Sequence, residues 1–343
     1  MQGKKSYLIN IAIILLVGGV SLYLSVGKEL GPVLHTVLSA NPLWMIILFA
    51  LMIGYYLIDG LALWYFGAYY KKDYTYKQSF INAIIGTLFN GITPSSSGGQ
   101  FAQVYVFNNQ GIPPAIATGI LLMSFISYQL VLIGFTAIIM ILQSGYFLHE
   151  GATVTSMALI GFLINFIITA FLFFGAKSHK FQSFVINVII KGLYKMHIIK
   201  DFEATSFKAS HYFHDFRKQM KLLQSNKDLL KKASLCNVGK LLIMYSTPFF
   251  ACMALHIPVS PMQFLTFLGL TSIINLINTF LPIPGASGGS EGCYMILFGF
   301  LGRINASSSM FLWRFFSFYL GVILGAIVFA TAKDVQRKSS SQD

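Results

Sequence analysis

Apolar positions in this chain fall into long runs with little polar interruption. Runs of spanning length, which need about 20 residues each, lie near residues 7–26, 43–66, 114–142, 153–175, 236–256 and 307–332. They predict six membrane-crossing helices. Two further apolar regions, 78–110 and 261–303, each carry a break of one form, PxxSGG: Pro94, Ser97, Gly98 and Gly99 in GITPSSSGGQ, and Pro284, Ser287, Gly288 and Gly289 in LPIPGASGGSEG. Proline and glycine break helices, and a helix broken inside a bilayer is tolerated only where the freed backbone is buried in protein or lines a cavity.

Loop charge decides how the broken regions run. Lys and Arg cluster at Lys4 and Lys5, at Lys71, Lys72 and Lys77, between Lys177 and Lys232, and at Lys333, Arg337 and Lys338. The positive-inside rule puts all four clusters, and with them both termini, in the cytoplasm. Span 43–66 then runs inward and span 114–142 outward, so region 78–110 starts and ends inside. By the same walk, region 261–303 starts and ends outside. The pattern predicts an all-α polytopic membrane protein with six full spans and two broken re-entrant hairpins, the second inverted relative to the first. Residues 43–142, with hairpin 78–110, form one expected repeat, and residues 236–332, with hairpin 261–303, the other. Broken segments at matching places in two halves mark an inverted-repeat transporter and point to its binding site.

Between the expected repeats, residues 176–233 are the only long polar stretch. Phe181, Phe184, Val185, Val188 and Ile189 recur there at helical spacing, as in an interfacial amphipathic helix. The remainder reads as a cytoplasmic helical connector, with His211, His214 and Asp215 as solvated side chains rather than metal ligands. The first apolar run resembles a signal peptide in charge but lacks a clear small-residue cleavage site, and reads as an uncleaved span.

Composition agrees with this layout. The chain is 55% hydrophobic and 10% charged, against about 25% charged in an ordinary soluble domain. Its net charge of +13 lies mostly in one cytoplasmic cluster, so attraction to an anionic leaflet accounts for it and no nucleic acid partner is expected. Cys236, Cys252 and Cys293 sit in apolar stretches as packing residues. There is no nucleophile with a fitting base, no P-loop and no nucleotide fingerprint; no cofactor or metal is expected.

Few polar groups remain to carry chemistry. Glu291, after the second glycine pair, and Arg314, within the last span, would each cost at least ~2.5 to 3.5 kcal/mol at membrane depth if unpaired. They are expected to pair, either for function or as a clamp holding the hairpin to the last span. Asp59, the only acid in the second span, reads as a proton coupler, a contact for a lipid amine or a structural hydrogen bond to the hairpin. Lys240 and Arg303 read as snorkelling anchors at helix ends. The half-helix N-termini at the two breaks would offer N–H groups to anions, and Ser95, Ser96, Ser97, Ser287 and Ser290 add hydroxyls, which suits a phosphate-bearing headgroup.

The GITPSSSGGQ and LPIPGASGGSEG segments, Glu291, the hydrophobic layout and the length together resemble the transmembrane domain of lysylphosphatidylglycerol synthases, over roughly residues 5–332. The resemblance implies a flippase of the bacterial cytoplasmic membrane that moves aminoacylated or other phospholipids from the inner to the outer leaflet. It also implies that a chain ending in KDVQRKSSSQD lacks the soluble aminoacyltransferase domain of the full-length synthases, and with it any lysyltransferase activity of its own. Relatives often carry a charged residue soon after the first glycine pair. Here Gln100 and Gln103 stand, and amides suit hydroxyl-rich headgroups.

The expected headgroup cavity lies where the hairpins meet and draws on Pro94, Ser97, Gly98, Gly99 and Gln100 from the first and Pro284, Ser287, Gly288, Gly289 and Glu291 from the second. Asp59, Glu291 and Arg314 are the expected intramembrane charges. Expected partners are membrane lipids, whether anionic, aminoacylated or glycosylated, together with a separate lipid-modifying enzyme and a second copy in a homodimer. The rival expectations are an intramembrane transferase, and an accessory scaffold of a lysyltransferase or glycosyltransferase system docked through residues 176–233.

Overall fold

Caps and prolines set where the helices begin. The computed structural model describes residues 30–93, 98–149, 152–195, 201–279 and 283–332; the expected first span at 7–26 lies outside them. A short helix, α1 (Leu30–Leu38), precedes α2 (Pro42–Tyr70). The Asn41 side chain accepts from the Leu43 N–H at 2.9 Å, and Pro42 occupies the first turn, where its missing N–H costs nothing. A capping box of Thr75 and Gln78 starts α3 (Tyr76–Ile92), and α4 (Gly98–Asn109) returns beside it. Then come α5 (Pro114–Leu142), the short α6 (Ser144–His149) and α7 (Ala152–Lys177).

The polar stretch that follows is helical too, from His179 to Lys195 through a π-helical middle (α8) and again over Phe202–Ser225 (α9). Asn226 caps α10 (Lys227–Ala254), which therefore begins inside the stretch expected to be a connector. The second capping box, Ser260 with Gln263, leads into α11 (Phe264–Asn278). The chain then passes the second break into α12 (Gly289–Leu297) and ends its described part in α13 (Arg303–Thr331).

Five of these helices are long and apolar enough to cross a membrane: α2, α5, the Val154–Phe171 part of α7, α10 and α13. At 1.5 Å per residue, the 29 residues of α2 span about 44 Å, more than the roughly 30 Å hydrocarbon core. Ile46, Phe49, Ile138, Leu163 and Phe166 are exposed on their outer faces, as lipid-facing side chains are. The protein is an all-α polytopic membrane protein. In α10, 61% of the spanning window is buried, against 28–39% in the others, so α10 is the central helix. Its Pro248 leaves the Met244 carbonyl without its usual donor, and the Thr247 hydroxyl takes that place at 2.7 Å.

The two broken segments are antiparallel hairpins that enter from opposite ends of the bundle. The ends of the α3–α4 hairpin meet at the Lys71 end: Lys71 Nζ donates to the Gln110 carbonyl at 2.9 Å, Tyr74 Oη to Gln110 Oε1 at 3.0 Å and Gln110 Nε2 to the Gln78 carbonyl at 2.9 Å. The α11–α12 hairpin has its ends at the other face, where Thr266 donates to Gln143 at 3.1 Å and Phe267 packs edge-on against Phe298. At that face the Asn41 N–H also bonds the Ala254 carbonyl at 2.7 Å, joining the start of α2 to the end of α10. The sequence distance from Asn41 to Asn226 equals that from Thr75 to Ser260, so the same two caps recur in each half at one offset.

Candidate functional site

The hairpin tips converge inside the bundle. Positions for a side chain at Gly91, in the tip of α3, and at Gly285, in the second break, both point at the Phe318 ring of α13. Beside them lies a cavity of about 790 Å³ walled by α2, α3, α4, α5, α7, α10, α11 and α13. Within α13, residues Phe315–Tyr319 are π-helical, immediately after Arg314, and such bulges concentrate at functional sites.

Each break is closed by its own side chains. In the first, the Gly98 N–H donates to Thr93 Oγ1 at 2.8 Å and the Gly99 N–H to Asn90 Oδ1 at 3.0 Å. A Cβ on Gly99 would overlap Asn90 and stand 2.5 Å from the Gly86 carbonyl oxygen, so only glycine lets the two helices approach here. In the second, Pro284 opens a short 3₁₀ turn, and Gly288 has φ +88°, which a side chain would strain. The Gly288 N–H donates to Glu291 Oε2 at 2.7 Å. Of the N–H groups expected to await an anion, those of Gly98, Gly99 and Gly288 are thus capped from within, because cap residues lie next to both breaks.

Glu291 and Arg314 meet, with Nε and Oε1 2.7 Å apart and both side chains at most 5% exposed. The N–H is not aligned on the carboxylate, so the attraction is Coulombic rather than that of a well-formed hydrogen bond. Arg314 also donates to the Gly285 carbonyl at 2.9 Å and lies 3.4 Å from Ser287 Oγ, with its guanidinium over the Phe318 ring. This pair ties the second break to the last span. Arg314 reaches the cavity wall together with Gly285 and Ala286, whereas Ser287, Gly288, Gly289 and Glu291 stand off it. From the first break the wall takes Gln100, which is exposed, while Gly98 and Gly99 pack behind it. Pro94 and Ser97 lie outside the described residues.

Lys240 is not a helix-end anchor. It is 8% exposed, on the cavity wall, where its ammonium meets the Asp59 carboxylate and lies 5.6 and 5.3 Å from the ring centres of Tyr55 and Tyr128. The apolar run beginning near 236 placed Lys240 at its edge. The helix starts at Lys227 instead, which carries the residue well into the bundle. Asp59 therefore bonds α10 rather than the hairpin. Arg303 is exposed at the start of α13, where an anchor would be.

Sequence reasoning missed a belt of neutral polar residues inside the spans. Gln129 donates to Asn165 Oδ1 at 2.9 Å, Asn165 donates to the Leu276 carbonyl at 2.9 Å, and Asn275 lies 2.9–3.0 Å from the Tyr128 and Tyr245 hydroxyls. Asn237 donates to Ser127 at 3.3 Å. Asn and Gln within otherwise apolar helices were the signal available, since such groups are costly in lipid unless they bond or line a cavity.

Over residues 7–325 the sequence matches the family described as the lysylphosphatidylglycerol synthase TM region. The chain belongs to this family. As a lysylphosphatidylglycerol synthase membrane region, it is a multi-pass membrane domain related to the synthesis or flipping of that lipid. No curated protein matches it.

Proposed function

We propose that this protein is a lipid translocase that carries a headgroup through the cavity between its two broken hairpins while the acyl tails stay in the bilayer. One observation carries the reading: hairpins entering from opposite ends bring their tips together at Phe318, beside a cavity of about 790 Å³ with a polar wall. A headgroup needs a polar path across the hydrocarbon core, and broken helices near the midplane are how membrane transporters build one. The recurring Asn caps and Ser/Thr-x-x-Gln capping boxes support treating residues 43–142 and 236–332 as inverted repeats. The Asp59–Lys240 bond then joins the first span of one repeat to that of the other, where rocking of one repeat against the other would be felt.

The positive-inside rule supports a cytoplasmic Lys71 end, since Lys227, Lys231 and Lys232 start α10 at that same end. Movement from the inner to the outer leaflet of a bacterial cytoplasmic membrane is the direction proposed, and membership of the family supports it. The test is transbilayer movement of labelled phosphatidylglycerol, its lysyl derivative and a glucosyl diacylglycerol in vesicles with and without the purified protein. Faster movement of at least one of them in the protein-bearing vesicles is expected. Equal rates for all three, with folded protein present, would overturn the translocase and favour an accessory role beside a lipid-modifying enzyme.

A further inference from the structure

We infer that the cavity selects a hydroxyl-rich headgroup without net charge, namely a sugar borne on a lipid. This rests on the translocase reading above. Among the described residues, each charged side chain on the cavity wall already has a partner. Lys240 is bound to Asp59, and Arg314 to Glu291, to the Gly285 carbonyl and to the face of Phe318. The half-helix N–H groups of Gly98, Gly99 and Gly288 are taken by Thr93, Asn90 and Glu291. At Lys240 or Arg314 a phosphate would have to displace a carboxylate. A lysyl ammonium would meet Asp59 only in competition with Lys240, and Glu291 is 0% exposed. Both exchanges leave a charge unpaired in a low-dielectric wall, which is unfavourable.

The wall instead offers neutral donors and acceptors. Gln100 is exposed on it, and the amide of Gln103 makes a long, 3.5 Å contact with the Asn82 carbonyl. Among the described residues, the side-chain oxygens of Gln129 and Asn278, both on the wall, have no hydrogen-bond partner. An amide both donates and accepts, as does a hydroxyl, so a ring of amides matches a polyol better than an ion. Tyr55 and Trp313 add aromatic surface to the wall, against which the C–H side of a sugar ring can pack.

The test is lipid binding by the full chain in detergent, read by native mass spectrometry. Glucosyl diacylglycerol, phosphatidylglycerol and lysylphosphatidylglycerol with identical acyl chains would compete. The glucosyl lipid is expected to win by about tenfold, or about 1.4 kcal/mol. Equal or tighter binding of either charged lipid would overturn the inference. The variant Gln100→Glu adds an unpaired acid at an exposed wall position, and it is expected to raise lysylphosphatidylglycerol binding several-fold; an unchanged ratio would place the selective site elsewhere and so overturn it too. Since binding is read without movement, a sugar preference in a protein that moves no lipid would sink the translocase and leave the selectivity standing. Movement of lysylphosphatidylglycerol alone would do the reverse.

Discussion

Glu291 serves two structures with one carboxylate: one oxygen caps the Gly288 N–H and the other faces Arg314. The variant Glu291→Gln keeps an acceptor for the cap but leaves the buried guanidinium without its counter-charge. Removing one member of a buried pair costs about 3–5 kcal/mol. A lowered thermal midpoint of the detergent-purified protein is expected, with part of the loss recovered in Glu291→Gln combined with Arg314→Leu. A midpoint equal to wild type in the single variant would show that the pair does not clamp the break. Both residues were legible in the sequence, because a charge inside an apolar run stands out. Lys240 was misplaced because hydropathy marks where lipid contact begins and not where the helix does. Gln129, Asn165 and Asn275 were visible only as isolated amides, because a few neutral amides barely change the mean hydropathy of a long span.

At the scale of elements, the breaks were visible from proline and glycine, and loop charge led to the expectation that the two hairpins are opposed. What closes each break was not visible. Thr93 and Asn90 belong to the helix before the first gap, and only folding brings them onto Gly98 and Gly99. The substitution Gly99→Ala forces a methyl group against Asn90 and the Gly86 carbonyl, and overpacking of this kind costs about 1–3 kcal/mol. Thermal unfolding should register that loss, and a neutral outcome would mean that the α3–α4 approach is looser than described. A second expectation concerns the tip of α3 against α13. Gly91 and Val322 are close enough that a side chain at Gly91 would press on Val322. Cysteines at both, in a chain cleared of Cys236, Cys252 and Cys293, should cross-link on oxidation and arrest lipid movement until reduced. Movement that persists in the cross-linked protein would exclude separation of the tip from α13 as part of the cycle.

For the whole molecule, the caps repeated at one offset and the opposed hairpins support the proposed reading of two inverted halves around one cavity. Orientation can be checked directly. A cysteine replacing Ser144, beyond the end of α5, should react with a membrane-impermeant maleimide in intact cells, whereas one replacing Lys72 should react only after permeabilisation. The opposite pattern would invert the assigned topology. Central to the proposed movement is the cavity as the route for the headgroup. Ser124 lies half-buried on its α5 wall, where a tryptophan would take up part of the space. The most direct measurement is therefore transbilayer movement of the transported lipid by Ser124→Trp beside wild type, in vesicles matched for the amount of folded protein. Loss of movement with the thermal midpoint retained is the predicted result; movement at the wild-type rate would contradict passage through the cavity.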